Sequence, residues 1–101
     1  LFNYLGERIF DNFSVTDNDD NLVPSIDISE FTYHLFDPFN NEVSSSINVI
    51  IKELGHGHYR IKFFPDKIGS WYLVLYHESY FPWGKAASFN VMKKEKTRVK
   101  P

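Results

Sequence analysis

With no cysteine among its 101 residues, the groups of this chain whose types and spacing suggest a site are carboxylates, imidazoles and hydroxyls. Disulfides and thiol catalysis are thereby excluded. Asp17, Asp19 and Asn21 stand at alternate positions of an acidic loop. That spacing opens an EF-hand calcium loop, whose oxygen ligands come from positions one, three and five. The rest of the motif is absent: Leu22 stands where the loop needs Gly, and Ile28 where it needs a bidentate Glu. The calcium reading that survives is a looser site between strands at Asp17, Asp19 and Asn21. The competing reading is a plain turn, since Asp and Asn side chains bond nearby amides. His56 and His58 are two apart and on an extended segment could share a metal, but two ligands do not make a site. His34 and His77 lie elsewhere in the chain.

Catalytic patterns are missing. Asp37, Asp66 and Glu78 fall in separate turns, with nothing to bring a carboxylate pair to working distance. Ser70, Ser79 and Ser88 have no Gly-x-Ser-x-Gly context. Gly55-x-Gly57 is too short to cradle a phosphate, and no helix follows it. The expectation is a protein that is not an enzyme and needs no cofactor.

The residues best suited to recognition are aromatic. Tyr80, Phe81 and Trp83 flank Pro82 in the segment His77–Lys85, which reads as a loop between the last two strands. Loops at one end of a β-sandwich commonly bind partners, and large aromatics dominate interface hot spots. Phe39, in the turn Asp37–Asn41, can join either such a cluster or another. Tyr80, Phe81, Trp83 and Phe39 are therefore the expected binding residues. The alternative is that Phe81 and Trp83 cap the hydrophobic core.

The elements that would position these residues are strands. Tyr59, Ile61 and Phe63 alternate with Arg60 and Lys62; after a Pro65–Gly69 turn, Trp71, Leu73 and Leu75 share a second face. A period of two marks a half-buried strand. Similar alternation predicts strands through Phe13 and Val15, Phe31–Phe36, Ile47–Lys52 and Ala87–Met92. Pro24 cannot donate to a ladder, so Leu22–Ile28 belongs at a sheet edge or at a switch between sheets. Phe36, Ile50, Phe64, Tyr72, Val74 and Tyr76 fall opposite the core set, giving outer faces more apolar than usual. About seven short strands, no helical periodicity and no evident internal repeat predict an all-β antiparallel β-sandwich.

One domain suits this length. Residues 1–10 read as an arm packing on the domain, 11–92 as the sandwich, and 93–101 as a basic tail or linker. The tail carries five positive charges and one negative, so residues 1–92 hold −6 of an overall −2. That acidic body argues against nucleic acid on the domain itself. No apolar run reaches the roughly 20 residues of a membrane-spanning helix.

Val15 and Asp17, then Phe31, Leu35 and Asp37-Pro38, then Gly57-x-Tyr59-x-Ile61-x-Phe63-x-Pro65, Gly69-x-Trp71-x-Leu73-x-Leu75 and Phe89-x-Val91, follow a familiar order. The chain resembles the immunoglobulin-like and filamin-type β-sandwich modules. Such modules occur in extracellular bacterial proteins and in structural proteins of tailed bacteriophages. The resemblance implies an immunoglobulin-like sandwich and a non-catalytic structural or adhesive role in a larger assembly. A phage virion or tail protein is the expected setting, with a virion or extracellular location. Expected partners are other subunits or domains of that assembly, and surface glycans. The alternative function is a carbohydrate-binding module of an extracellular enzyme or adhesin. A further alternative is a module that adds a peptide strand to an open sheet edge beside Phe89–Met92.

Overall fold

A computed structural model describes residues 3–93; the tail 93–101 lies almost wholly outside the described residues. Seven strands form two sheets and no α-helix is present among the described residues. The strands are β1 (Asn3–Tyr4), β2 (Ile9–Ser14), β3 (Phe31–Phe36), β4 (Ile50–Gly55), β5 (His58–Phe63), β6 (Gly69–His77) and β7 (Phe81–Met92). A four-stranded sheet has the order β1-β7-β6-β3, and a three-stranded sheet the order β2-β5-β4. All pairings are antiparallel except β1 with β7. This is the antiparallel β-sandwich that alternation and turn chemistry predict, in the immunoglobulin-like form that the resemblance implies.

The core lies between the sheets. Ile9, Val15, Leu35, Tyr59, Phe63, Trp71, Phe81 and Val91 are its most deeply buried side chains. Rings carry much of the packing: Phe13 stacks on Tyr59 at 5.6 Å and meets Phe31 edge-on at 5.8 Å, while Phe63 meets Phe89 edge-on at 5.7 Å. Buried polar tips are satisfied. Trp71 Nε1 donates to the Lys67 carbonyl at 3.0 Å. The Tyr59 hydroxyl donates to the Val23 carbonyl at 2.9 Å and accepts from the Ile26 amide at 3.2 Å. These bonds hold the Pro24 segment, which makes no ladder of its own after Val23.

Registers define two ends. Ser14, His58, Phe31, His77 and Phe81 share one, here the His77 end; Ile9, Phe63, Phe36, Gly69 and Val91 share the other, the Gly69 end.

Several boundaries differ from the sequence reading. β2 starts at Ile9, inside the stretch read as an arm, and Asn3–Tyr4 already pair with Val91–Met92. That parallel pair occupies part of the edge beside Phe89–Met92 that the sequence left open. The ladder of β4 begins at Ile50, although Val49 is already buried.

β7 is the largest departure. It begins at Phe81, so Tyr80-Phe81-Pro82-Trp83 is not a loop; the turn is only Glu78–Tyr80. Pro82 and Gly84 look like turn residues, but β7 is paired on one side only until Val91, and Pro is tolerated on such an edge. Gly84, at φ +89°, sits in a bulge where the register shifts between Leu75 and His77.

One turn is built twice. In Asp17–Asn21 the Asp17 amide donates to the Asn21 carbonyl at 2.9 Å, and Oδ1 accepts from the amides of Asp19 (2.9 Å) and Asn21 (3.0 Å). In Asp37–Asn41 the same bonds recur: amide to Asn41 carbonyl at 2.9 Å, and Oδ1 from Phe39 and Asn41, both at 2.9 Å. Asp20 and Asn40, fourth in each turn, have φ of 63° and 64°. Both residue types tolerate that left-handed conformation.

Candidate functional site

The expected binding residues do not form one patch. Phe81 turns inward, 2% exposed, stacked on Phe31 at 6.1 Å. Tyr80 is half-buried, its ring 4.8 Å from that of His77. Trp83 is 77% exposed at the same end. Phe39 is 72% exposed, but it tops the Asp37–Asn41 turn at the Gly69 end, where a Cβ on Gly69 would press against Pro38 at 2.7 Å.

His77 organises the turn before Trp83. Its buried Nδ1 faces the amides of Ser79 (3.1 Å) and Tyr80 (3.4 Å), and Nε2 lies 3.0 Å from Glu30 Oε1. Two amide donors at Nδ1 assign the proton to Nε2, which donates to Glu30. Phe31 and Phe81 pack around the imidazole. His77 is thus a structural residue, joining the β6–β7 turn to the 3₁₀ turn Ile28–Glu30.

Beyond Trp83 the outer face of the four-stranded sheet is aromatic and uncharged along its middle. Tyr76, Val74 and Tyr72 alternate on β6; Ala86 and Ser88 face Val74 and Tyr72 from β7, and His34 and Phe36 from β3. Phe36 and Tyr72 rings lie 6.3 Å apart, and His34 meets Tyr76 edge-on at 6.0 Å. At the rim of this face Glu42 Oε2 pairs with His34 Nδ1 at 2.8 Å and accepts from Ser44 Oγ at 3.0 Å. Those two contacts, led by the His34 bond, hold the Glu42 carboxyl below the usual range. Ser44 and Val43 also cover the edge of β3 at Leu35, with Leu35 N–H donating to Ser44 Oγ and Val43 N–H donating to the Leu35 carbonyl.

The acidic loop works as a turn. Asp17 Oδ1 already accepts from two amides, with Asn21 the stronger influence, and these bonds lower its pKa. Among the described residues no three His, Asp or Glu side chains come close enough to hold a metal ion. His58 is engaged with Ser14 Oγ at 2.8 Å, and His56 lies in the β4–β5 turn at φ +55°. Asp37 and Asp66, in separate turns of the sequence, meet through Lys67, whose Nζ is 3.5 Å from Asp37 Oδ2 and 3.1 Å from Asp66 Oδ1. An ammonium between them makes a cross-link between turns rather than an acid–base pair. Burial raises the Asp37 pKa, but the Asn41 and Phe39 amides together with Lys67 outweigh it and hold the carboxyl low.

Sequence reasoning did find that Phe36, Tyr72, Val74 and Tyr76 face outward. It missed Gly84, over which the Tyr76 ring lies, and Ala86, whose small side chain keeps the face flat. The signal was there in Gly84-Lys85-Ala86-Ala87-Ser88, a run of small residues opposite an aromatic strand.

No protein-family model matches the sequence, and no curated protein matches it. Among solved structures the chain is similar to the Lin-41 filamin domain, with a TM-score of 0.71 at 12% identity. The match covers 91% of this chain and 83% of that one. The likeness establishes a filamin-type, immunoglobulin-like fold.

Proposed function

We propose that this chain is a non-catalytic interaction module of a larger assembly, meeting a protein neighbour through Trp83 and the uncharged outer face of the four-stranded sheet. The observation that carries the reading is the exposure of large aromatics where a solvated sheet would be polar: Trp83 at 77% and Tyr72 at 44%. Exposed rings of this kind are the groups whose burial contributes most at an interface. The setting we favour is a virion or extracellular structural protein, such as a phage tail component, on the strength of the module type and the excess of aromatics. Trp83→Ala with Tyr72→Ser in the parent protein should weaken incorporation into the assembly at least tenfold while leaving the isolated chain's melting temperature nearly unchanged. Normal incorporation of that double variant would refute the reading.

Carbohydrate binding is the second reading. It is favoured by the Ser88 and Asn90 polar groups set beside Tyr72 and Ser70 on the same face, since an aromatic platform flanked by hydrogen-bonding groups suits a sugar ring. A glycan array probed with the chain and with Trp83→Ala separates the two. Binding that depends on Trp83 would favour the sugar reading.

A further inference from the structure

The outer face of the other sheet has the opposite character. Its rows, read across β2, β5 and β4, are Phe10–Lys62–Ile50 and Asn12–Arg60–Lys52. Three cations and two apolar side chains share these rows with one amide, and no carboxylate is among them. Arg8 and Phe64 extend the surface toward the Gly69 end. Arg8, Lys52, Arg60 and Lys62 have no acidic partner among the described residues.

The arginines are held by rings. The Arg60 guanidinium lies 4.9 Å from the Phe10 centroid, and Arg8 lies 5.9 Å from Phe10 and 4.9 Å from Phe64. Arg60, Phe10, Arg8 and Phe64 thus form a continuous chain of alternating cation and ring. A guanidinium held over a ring keeps N–H donors at its edge for an oxyanion, and a fixed fork loses less entropy when it binds. Only Arg60 Nε is engaged, by Asn12 Oδ1 at 2.9 Å. Phe10 and Phe64 remain 50% and 51% exposed, with Ile50 at 43%.

From this arrangement we infer that the outer face of β2-β5-β4 binds single-stranded nucleic acid. Fixed cations call for an anionic chain, and the apolar surface between them calls for one that also carries flat apolar faces. Nucleobases between phosphates meet both demands. Acidic peptides and sulfated glycans supply the charge without the rings. A duplex hides its base faces and could not use Phe10 and Phe64. The inference runs against the net charge of the body, and segregation is the reason. Asp17, Asp19 and Asp20 follow Ser14 at the His77 end, and at the Gly69 end Asp37 and Asp66 are paired with Lys67, so neither group stands in the rows of Lys52, Arg60 and Lys62. Local charge, not its sum, sets binding.

The test is fluorescence anisotropy of labelled twelve-nucleotide dT and U oligomers with the full 101-residue chain from 50 to 300 mM NaCl. With four cations engaged, log K should fall against log salt with a slope of about −3. Arg60→Gln with Lys62→Gln should lower affinity at least tenfold, and Phe10→Ala or Phe64→Ala should lower it at least about fivefold through lost stacking. Because the basic tail alone could attract an anion, Lys93→Gln with Lys94→Gln and Lys96→Gln is the necessary comparison, and it should retain the phenylalanine dependence. Amide chemical shifts of the core strands verify that each variant is folded. The inference is overturned by absence of binding at 50 mM NaCl, by loss that follows the tail variant alone, or by polyglutamate or heparin oligosaccharide binding as tightly as the oligonucleotides.

Discussion

The Tyr76 ring lies across Gly84, so close that a Cβ on residue 84 would stand 2.7 Å from Tyr76 Cε1. The contact seals the bulge of β7, covers a backbone that has no side chain, and fixes the ring at the edge of the aromatic face beside Trp83. Gly84 also has φ +89°, where an L side chain is strained. Gly84→Ala should therefore destabilise the fold by about 1–2 kcal/mol in urea denaturation. Tyr76→Ala in the same background should make the loss less than additive, because one clash is then relieved.

Tyr59 is hydrogen-bonded to the Pro24 segment through its hydroxyl. Tyr59→Phe keeps the ring contacts with Phe13 and Phe31 and removes one donor and one acceptor. The expected cost is about 1–3 kcal/mol at an unchanged denaturant slope. Amide exchange at Ile26 should accelerate more than at Ile61, whose strand is held by its own ladder.

The two matched turns differ in burial, and their response should differ accordingly. Asp37 is 3% exposed, whereas the Asp17 turn is surrounded by solvent-facing residues. Asp37→Ala should lower the melting temperature more than Asp17→Ala, and Asp37→Asn should fall between wild type and Asp37→Ala because the amide oxygen can still accept from Phe39 and Asn41. Millimolar CaCl₂ should leave the wild-type melting temperature unchanged.

Asp11 and Asp37 should pull stability in opposite directions with pH. Asp37 is held below its usual value in the folded chain, so its contribution is complete above the unfolded pKa and disappears as pH falls through the lower, folded value. Asp11, beside Lys85 and Phe13 in the seam between β2 and β7, is raised by burial, with the Asn12 amide only partly offsetting. Its ionised form opposes folding, so its cost appears as pH rises from the unfolded value through the raised one and persists at neutral pH. Asp11→Asn should raise the melting temperature at pH 7 and have no such effect at pH 3; Asp37→Asn should lower it at pH 7, with the difference closing in acid.

Much of the fold was legible because period two leaves little choice. Tyr59, Ile61, Phe63, Trp71, Leu73 and Leu75 were placed inward by alternation, and all six are buried. The start of β7 was not legible. Pro82 and Gly84 are turn residues by local chemistry, and only the one-sided pairing of β7 makes them acceptable in a strand. The repeated turn was hidden for a different reason: Asp17-Asn18-Asp19-Asp20-Asn21 and Asp37-Pro38-Phe39-Asn40-Asn41 share only the first Asp and the last Asn, and the residues between them do not announce the common bonds. The aromatic face could be read from Tyr72, Val74 and Tyr76. The cationic face could not, because Arg8, Phe10, Lys52, Arg60 and Phe64 come from separate segments and meet only through register.

The proposed contact surface is tested most directly by hydroxyl-radical footprinting of Trp83, Tyr72 and Phe39, in the isolated chain and in the intact parent assembly. In the isolated chain all three should oxidise readily. In the assembly Trp83 and Tyr72 should be protected severalfold, while Phe39, at the opposite end from Trp83 and in a turn off the sheet face, should keep its rate. Equal oxidation of Trp83 and Tyr72 in both states would contradict the account.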